Sequence, residues 1–274
     1  MKPVSQAERS FIIDGCNMGI RYDGRDADSF RTISIENSIL PQVNGSSRLK
    51  IDNSTDVVCS VKLEISETRA TQPDTGILQV NVDISPSCNI YAEERNMQAY
   101  ETLIEQRIES MLLSSNALNM KKFCILSGKY CWKVHLDFLI LELDGEPTDA
   151  CCMAAYTAFD STVVPATRPI PGESGLLEDF DVEGDLSEGS QVSLENFPMM
   201  ITLSKVGNIF IVDGSSEEQQ CASSVVSIAV DRNGNVCGLT YLQSSLLSIQ
   251  DIKICKKKAY SVASAIFADL DKYI

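Results

Sequence analysis

Apolar and polar residues alternate along "SRLKIDNSTDVVCSVKLEIS" (47–66), with a polar interruption at Asn53-Ser54. A period of two broken by a polar turn predicts a β-hairpin. "GILQVNVDIS" (76–85) alternates in the same way and predicts a further strand. The period then changes. Met97, Tyr100, Ile104, Ile108 and Met111 recur at three- and four-residue spacing, so 94–113 is expected to form an amphipathic helix. "CWKVHLDFLILEL" (131–143) is apolar and β-rich, as a central strand would be. A tight turn at Asp144-Gly145 and an Ala-rich helix starting near Pro147 follow it.

The scheme recurs in shorter form after residue 195. "MMITLSKVGNIFIVDG" predicts two strands around Val206-Gly207-Asn208, and "CASSVVSIAVDRNGNVCGLTYL" another pair around Arg232-Asn233-Gly234-Asn235. "SIQDIKICKKKAYSVASAIFADL" reads as a closing helix whose Ile249, Ile252, Ala259, Val262 and Ile266 share an apolar face. Two similar βα halves, 1–164 and 196–274, define an α+β protein with helices layered on sheets. Between them, 165–195 holds eight acids against Arg168 alone and is punctuated by Gly and Pro, which predicts an exposed loop or linker.

Composition narrows the choices. At 274 residues with 44% hydrophobic and 22% charged residues, the chain can bury a substantial core. No apolar run reaches the roughly 18–20 residues a membrane crossing needs, and the N-terminus is too polar for a signal peptide, so the chain reads as soluble and intracellular. Ten cysteines are scattered without a C-x-x-C, and there is one histidine, so no zinc site is expected and the thiols read as reduced and packed. A net charge of −15 repels nucleic-acid backbones from the general surface and leaves only a local basic patch as a place for such contact.

Candidate chemistry gathers at "LDGEPTDACCMAAYTAF" (143–159), where Asp144, Glu146 and Asp149 precede Cys151-Cys152. A strand, a tight turn and a helix N-terminus make a natural anion site. Here the first turn carries acids, and no Arg or Lys occurs between Lys133 and Arg168. Acids in that position stabilise the helix and repel a second anion, so this is read as a neutralised phosphate site. His135 and Asp137, two apart on one strand face, are candidates for a dyad, though a structural histidine is the commoner outcome. Arg48 and Lys50 alternate on one strand face as ordinary surface charge or a phosphate-contacting patch. "KKK" at 256–258 reads as a solvated helix face and only a weak import signal.

Four stretches then fall in a recognisable order: "IRYDGRDADSFR" (20–31), "NGSSRLKIDNSTDVVCSVKLEI" (44–65), "FCILSGKYCWKVHLDFLILELDGEPTDA" (123–150) and "ITLSKVGNIFIVDGSSEEQ" (201–219). Over roughly residues 6–270 the chain resembles RNase PH-like proteins, and its details resemble the non-catalytic ring subunits of the eukaryotic RNA exosome. The least generic marks are the D-G-R turn, N-G-S-x-R, and V-D-x-x-x-E-E from Val212 to Glu218. The resemblance implies an RNase PH-like fold of the ribosomal protein S5 domain 2-like kind and a place in a hexameric ring of such subunits. S1/KH-type cap subunits, an associated exonuclease and RNA threading the assembled channel would be the partners, with no membrane and no cofactor. Residence in the nucleus, nucleolus included, and in the cytoplasm is implied too.

Active members of the family cleave RNA 3′ ends with phosphate, using arginines and two aspartates. The family's Thr-Arg-Thr/Ser falls on Pro147-Thr148-Asp149, which makes Thr148 and Asp149 a degenerate phosphate site. Arginines of the preceding helix fall on Ser110 and Leu113, and the aspartates on Val192 and Pro198, with Glu195 as a neighbouring stand-in. The resemblance thus implies a structural, RNA-guiding subunit without catalysis, with Arg48, Arg69 and Arg107 as candidates along the RNA path. The alternative is a phosphate-dependent 3′–5′ exoribonuclease working through relocated acids such as Asp144 or Asp149.

Overall fold

The computed structural model describes residues 4–88, 94–171, 177–183, 188–243 and 247–273. Helix α1 (Gln6–Asn17) starts at a reciprocal cap: the Ser5 hydroxyl accepts from the Glu8 N–H, and the Glu8 carboxylate accepts from the Ser5 N–H. Strands β1 (Ile33–Asn37), β2 (Gly45–Ile51), β3 (Thr55–Glu67) and β4 (Ile77–Ile84) lead to helix α2 (Glu94–Ser114). Strands β5 (Cys124–Leu126) and β6 (Tyr130–Glu142) and helix α3 (Pro147–Asp160) complete the first half. The hairpin, the strand, the amphipathic helix, the central strand and the turn-helix step all form where the hydrophobic pattern put them.

The first sheet runs β1-β2-β3-β6-β4, with β5 paired to β6. Strand β4 is parallel to β6, so the chain must cross over between them, and α2 lies in that crossover. Helix α2 also covers the sheet edge. Glu105 accepts from the Val82 N–H and Glu101 from the Ile84 N–H, each at 3.0 Å, which occupies donors that another strand would otherwise seek.

The connector departs from the expected loop. It carries β8 (Thr167–Pro171), β9 (Leu177–Val182) and β10 (Ser190–Gln191), just after β7 (Val163–Val164) of the first half. Strands β8 and β9 pair antiparallel, and β10 pairs with β7. The Phe180 ring packs 5.4 Å from that of Tyr130, and Arg168 pairs with Glu183 at 2.5 Å and Glu188 at 3.3 Å. An aromatic anchor and a local ion pair outweigh the turn-like composition. Residues 172–176 and 184–187 of the acidic stretch lie outside the described residues.

The second half contains β11 (Met199–Val206), β12 (Ile209–Val212), helix α4 (Ser216–Cys221), β13 (Ser224–Val230), β14 (Val236–Gln243) and helix α5 (Ile249–Leu270). Its sheet runs β12-β11-β13-β14 and is antiparallel throughout. Helix α5 engages this sheet from Cys255 onward. Ile249, expected on its apolar face, is 76% exposed, and the first turn meets the sheet through a polar contact, Asp251 with Lys205 of β11 at 3.1 Å.

Helix α3 positions the site. Every residue from Pro147 to Phe159 is buried, and the helix packs against β2 and β3 on one side and β11 on the other. A helix apolar around its whole circumference belongs inside, and Ala150, Ala154, Ala155 and Ala158 keep it slim enough for sheets to approach. The approach is closest at Gly45 of the N-G-S-x-R motif. A Cβ there would overlap the Thr162 hydroxyl and the Ala158 carbonyl. The Ser47 hydroxyl donates to the Ala154 carbonyl at 2.7 Å nearby.

Candidate functional site

The β6–α3 turn opens on Asp144, whose carboxylate accepts from Arg31 Nη1 at 2.8 Å and from the Ser216 N–H at 2.9 Å. Gly145 follows at φ +90°, and an added Cβ would lie 2.7 Å from the Gly214 carbonyl of the second half. This turn is therefore also the seam between the halves, and glycine is required by both its conformation and its close neighbour.

Glu146 occupies the N-cap of α3 without making a side-chain cap. Its Oε1 instead accepts from Arg107 Nη1 of α2 at 3.1 Å and from the Thr148 hydroxyl at 2.8 Å. Burial pushes the Glu146 carboxyl above its usual range, and the Thr148 and Arg107 contacts oppose that shift. Where a free anion would sit at a helix N-terminus beside a guanidinium, the chain supplies its own carboxylate. Asp149 does not cap the helix either, contrary to the simple reading of first-turn acids. It is 4% exposed and faces β11, where its oxygens accept from the Thr202 N–H at 2.7 Å and contact the Thr202 hydroxyl at 2.8 Å. The Thr202 and Ser227 hydroxyls are 2.6 Å apart and extend the chain. Burial drives the Asp149 carboxyl well above the ordinary range, against the Thr202 hydrogen bonds and with help from nearby Glu146.

The remaining candidates separate cleanly. Cys151 and Cys152 are buried with their thiols pushed up by burial, Cys152 to about 12, so neither supplies a thiolate at neutral pH. All ten cysteines are free and eight are buried, as packed thiols would be. The His135–Asp137 dyad does not form: Asp137 accepts from Asn81 Nδ2 at 2.6 Å, and His135 Nε2 lies 3.2 Å from Glu64. Neighbouring strands supply closer partners than a residue two positions along the same strand. Ser110 and Leu113 line a shallow surface of α2, Val192 packs against the core, and the Pro198 carbonyl accepts from Cys152 Sγ at 3.1 Å. Glu195 is exposed. These positions present no carboxylate pair and no guanidinium to a bound phosphate.

Two of the three arginines expected as RNA contacts are already paired with carboxylates. Arg48 reaches Asp56 with Nε and Nη2 at 3.0 and 2.7 Å, and Arg107 holds Glu146. Arg69 is exposed beside an isolated bridge to Gln72 and, among the described residues, has no ion-pair partner.

A network the sequence reading missed adjoins the turn. The carboxylate of Asp213 accepts from Arg31 Nη2 at 2.6 Å, Arg31 Nε at 2.8 Å and Arg25 Nη1 at 2.8 Å. Glu218 takes Arg21 in a two-pronged pair at 2.9 and 2.6 Å. Asp213 and Glu218 of V-D-x-x-x-E-E are thus bound to the arginines of "IRYDGRDADSFR". The legible signal was Ser215 followed three residues later by Glu218, a reciprocal cap that fixes the glutamate on α4.

Two mixed α+β halves around a buried helix, with the β6–α3 turn at their seam, define the class: an RNase PH-like fold. The 3′ exoribonuclease family profile matches residues 29–165 with its first domain and residues 196–262 with its second, and the chain belongs to that family. Among individual relatives it is similar to the exosome complex component Rrp42 of Methanothermobacter thermautotrophicus, 27% identical over 274 residues that cover 100% of this chain and 96% of the relative. A putative exosome complex exonuclease RRP42 of Dictyostelium discoideum is 27% identical and covers 87% of this chain and 88% of its own length. In fold, the chain matches a subunit of an Archaeoglobus fulgidus exosome with RNA bound to the active site, with a TM-score of 0.81 at 24% identity over 95% of this chain and 96% of that one.

Proposed function

We propose that this chain is a non-catalytic ring subunit of the RNA exosome core, of the eukaryotic component-seven type. It supports RNA processing and degradation by holding the ring and guiding RNA to a separate exonuclease. The observation that carries the reading is the Glu146 carboxylate seated on Arg107 at the α3 N-terminus, with Asp149 turned into the seam between halves. Phosphorolysis requires an arginine free to hold phosphate and acids free to act at the scissile bond, and this site commits both to the fold. Exposed Phe11, Met18 and Ile20, at 71%, 78% and 65%, give the chain apolar surface for neighbouring subunits. The partners are other RNase PH-like subunits, S1/KH-type cap proteins and the exonuclease, and the compartments are nucleus, nucleolus and cytoplasm.

The test is native mass spectrometry of the tagged chain isolated gently with its partners, followed by an assay for nucleoside diphosphates released from RNA with phosphate. A hetero-oligomer, and no release attributable to this chain, is expected. A homohexamer with phosphate-dependent release abolished by Asp144→Ala or Asp149→Ala would replace this reading with a phosphorolytic exoribonuclease.

Within the ring, Arg69 is the proposed RNA contact, since its guanidinium is the one of the three candidates left without a carboxylate. Arg69→Glu in the assembled complex is expected to weaken RNA crosslinking and protection severalfold, whereas Arg48→Glu, which breaks an internal pair, changes RNA contact less. Unchanged protection in the Arg69 variant would remove that residue from the RNA path.

A further inference from the structure

Helix α5 presents a second feature that the ring reading does not use. Lys253, Lys256 and Lys257 recur at three- and four-residue spacing, so they stand on one exposed face, and Tyr260 continues that face a turn further on. The "KKK" run is therefore divided. Lys258 turns the other way and is held by Asp28 and by the Phe210 carbonyl. Among the described residues, Lys253, Lys256 and Lys257 have no ion-pair partner, although acids outnumber bases 38 to 23 in the chain. Lys62, Lys205, Lys258 and Lys272 each have one. Like charges three and four apart destabilise a helix, and these lie in its N-terminal half, where the helix dipole does not favour cations. Helix stability gives no reason for the arrangement.

The three lysines border a concave surface of about 710 Å³ between α5 and the β13–β14 turn, and no carboxylate lines it. Its apolar part comes from Tyr260 and Ile254, both nearly half exposed. Gly234 in the turn lets the Tyr260 ring pack close, since a Cβ there would come within 3.0 Å of the ring. We propose that this face of α5 is a docking site for an acidic peptide segment carrying an aromatic or large aliphatic residue. The apolar residue would fill the hollow beside Tyr260 and Ile254, and flanking carboxylates would meet the lysines. Charge complementarity alone also fits RNA, but two observations favour peptide. Lysines offer point charges and not the planar fork that suits phosphate, and a single ring with an aliphatic neighbour lacks the successive aromatic platforms on which single-stranded bases stack.

The experiment uses the purified full-length chain and a fluorescein-labelled Asp-Glu-Asp-Trp-Glu-Asp-Glu peptide, read by fluorescence anisotropy. The comparators are the same peptide with Ala for Trp and an oligouridylate of equal charge. Saturable binding of the Trp peptide is expected, weakened roughly tenfold by Lys253→Glu with Lys257→Glu, and by Tyr260→Ala. The Ala peptide should bind correspondingly more weakly. Matching thermal unfolding of variants and parent separates loss of the site from loss of the fold. Failure of the Trp peptide to saturate, binding unmoved by the variants, or preference for oligouridylate would each overturn the proposal.

Discussion

Asp213→Ala is expected to destabilise the protein by about 3–5 kcal/mol, the cost of leaving buried Arg31 and part-buried Arg25 without their carboxylate. Asp213 is itself buried and takes three side-chain hydrogen bonds from Arg31 and Arg25 at 2.6–2.8 Å. Arg31 also bonds Asp144 within the first half, so the lost anchor loosens the β6–α3 turn as well. Urea unfolding at neutral pH measures the effect, and a loss below about 1 kcal/mol would mean that solvent replaces the carboxylate and that these pairs behave as surface ones. Burial by itself would raise the Asp213 carboxyl, but the Arg31 and Arg25 contacts reverse this and hold it below the ordinary range. The stabilisation is therefore complete above the usual carboxylate range and is lost as pH falls through the depressed value.

Asp149 should respond to pH in the opposite sense. Its folded-state pKa is raised, so its favourable contribution is present below the ordinary carboxylate range and is lost as pH rises through the raised value. Thr202 donates both its N–H and its hydroxyl to the Asp149 oxygens, and an asparagine keeps an oxygen to accept from the N–H while carrying no titrating charge. Asp149→Asn is therefore expected to gain stability relative to the parent as pH rises, by up to about 1.4 kcal/mol per pH unit until the parent carboxyl is fully ionised. Asp149→Ala leaves the Thr202 N–H without a partner and is expected to cost about 2–3 kcal/mol. Parallel stability–pH curves for parent and Asp149→Asn would show that the carboxyl titrates normally.

The secondary structure was legible wherever one period dominated. Met97 to Met111 marked α2, and alternation marked β2, β3 and β4, because each of these elements buries one face. The Ala-rich run beginning near Pro147 was legible as a helix, but its burial on all sides was not, since that depends on two sheets distant in sequence. The clustering of Asp144, Glu146 and Asp149 around the β6–α3 turn was legible in the sequence. Which acid meets which partner was not legible: Glu146 pairs with Arg107, 39 residues away, and Asp149 with Thr202, 53 away. The β8–β9 pair escaped because Phe180 finds its ring partner, Tyr130, outside the segment. Helix α1 escaped for a simpler reason. Its Ser5…Glu8 signature was on view, but its apolar positions are few, with only Ile12 and Cys16 buried.

Helix α3 belongs to the first half by sequence and lies against the second by packing, with Asp149–Thr202 and Arg31–Asp213 as cross-links. The peptide link through 165–195 is then only one of several connections between the halves. Cleavage there would leave two polypeptides that remain one particle, and two separately translated fragments would have enough complementary surface to find each other.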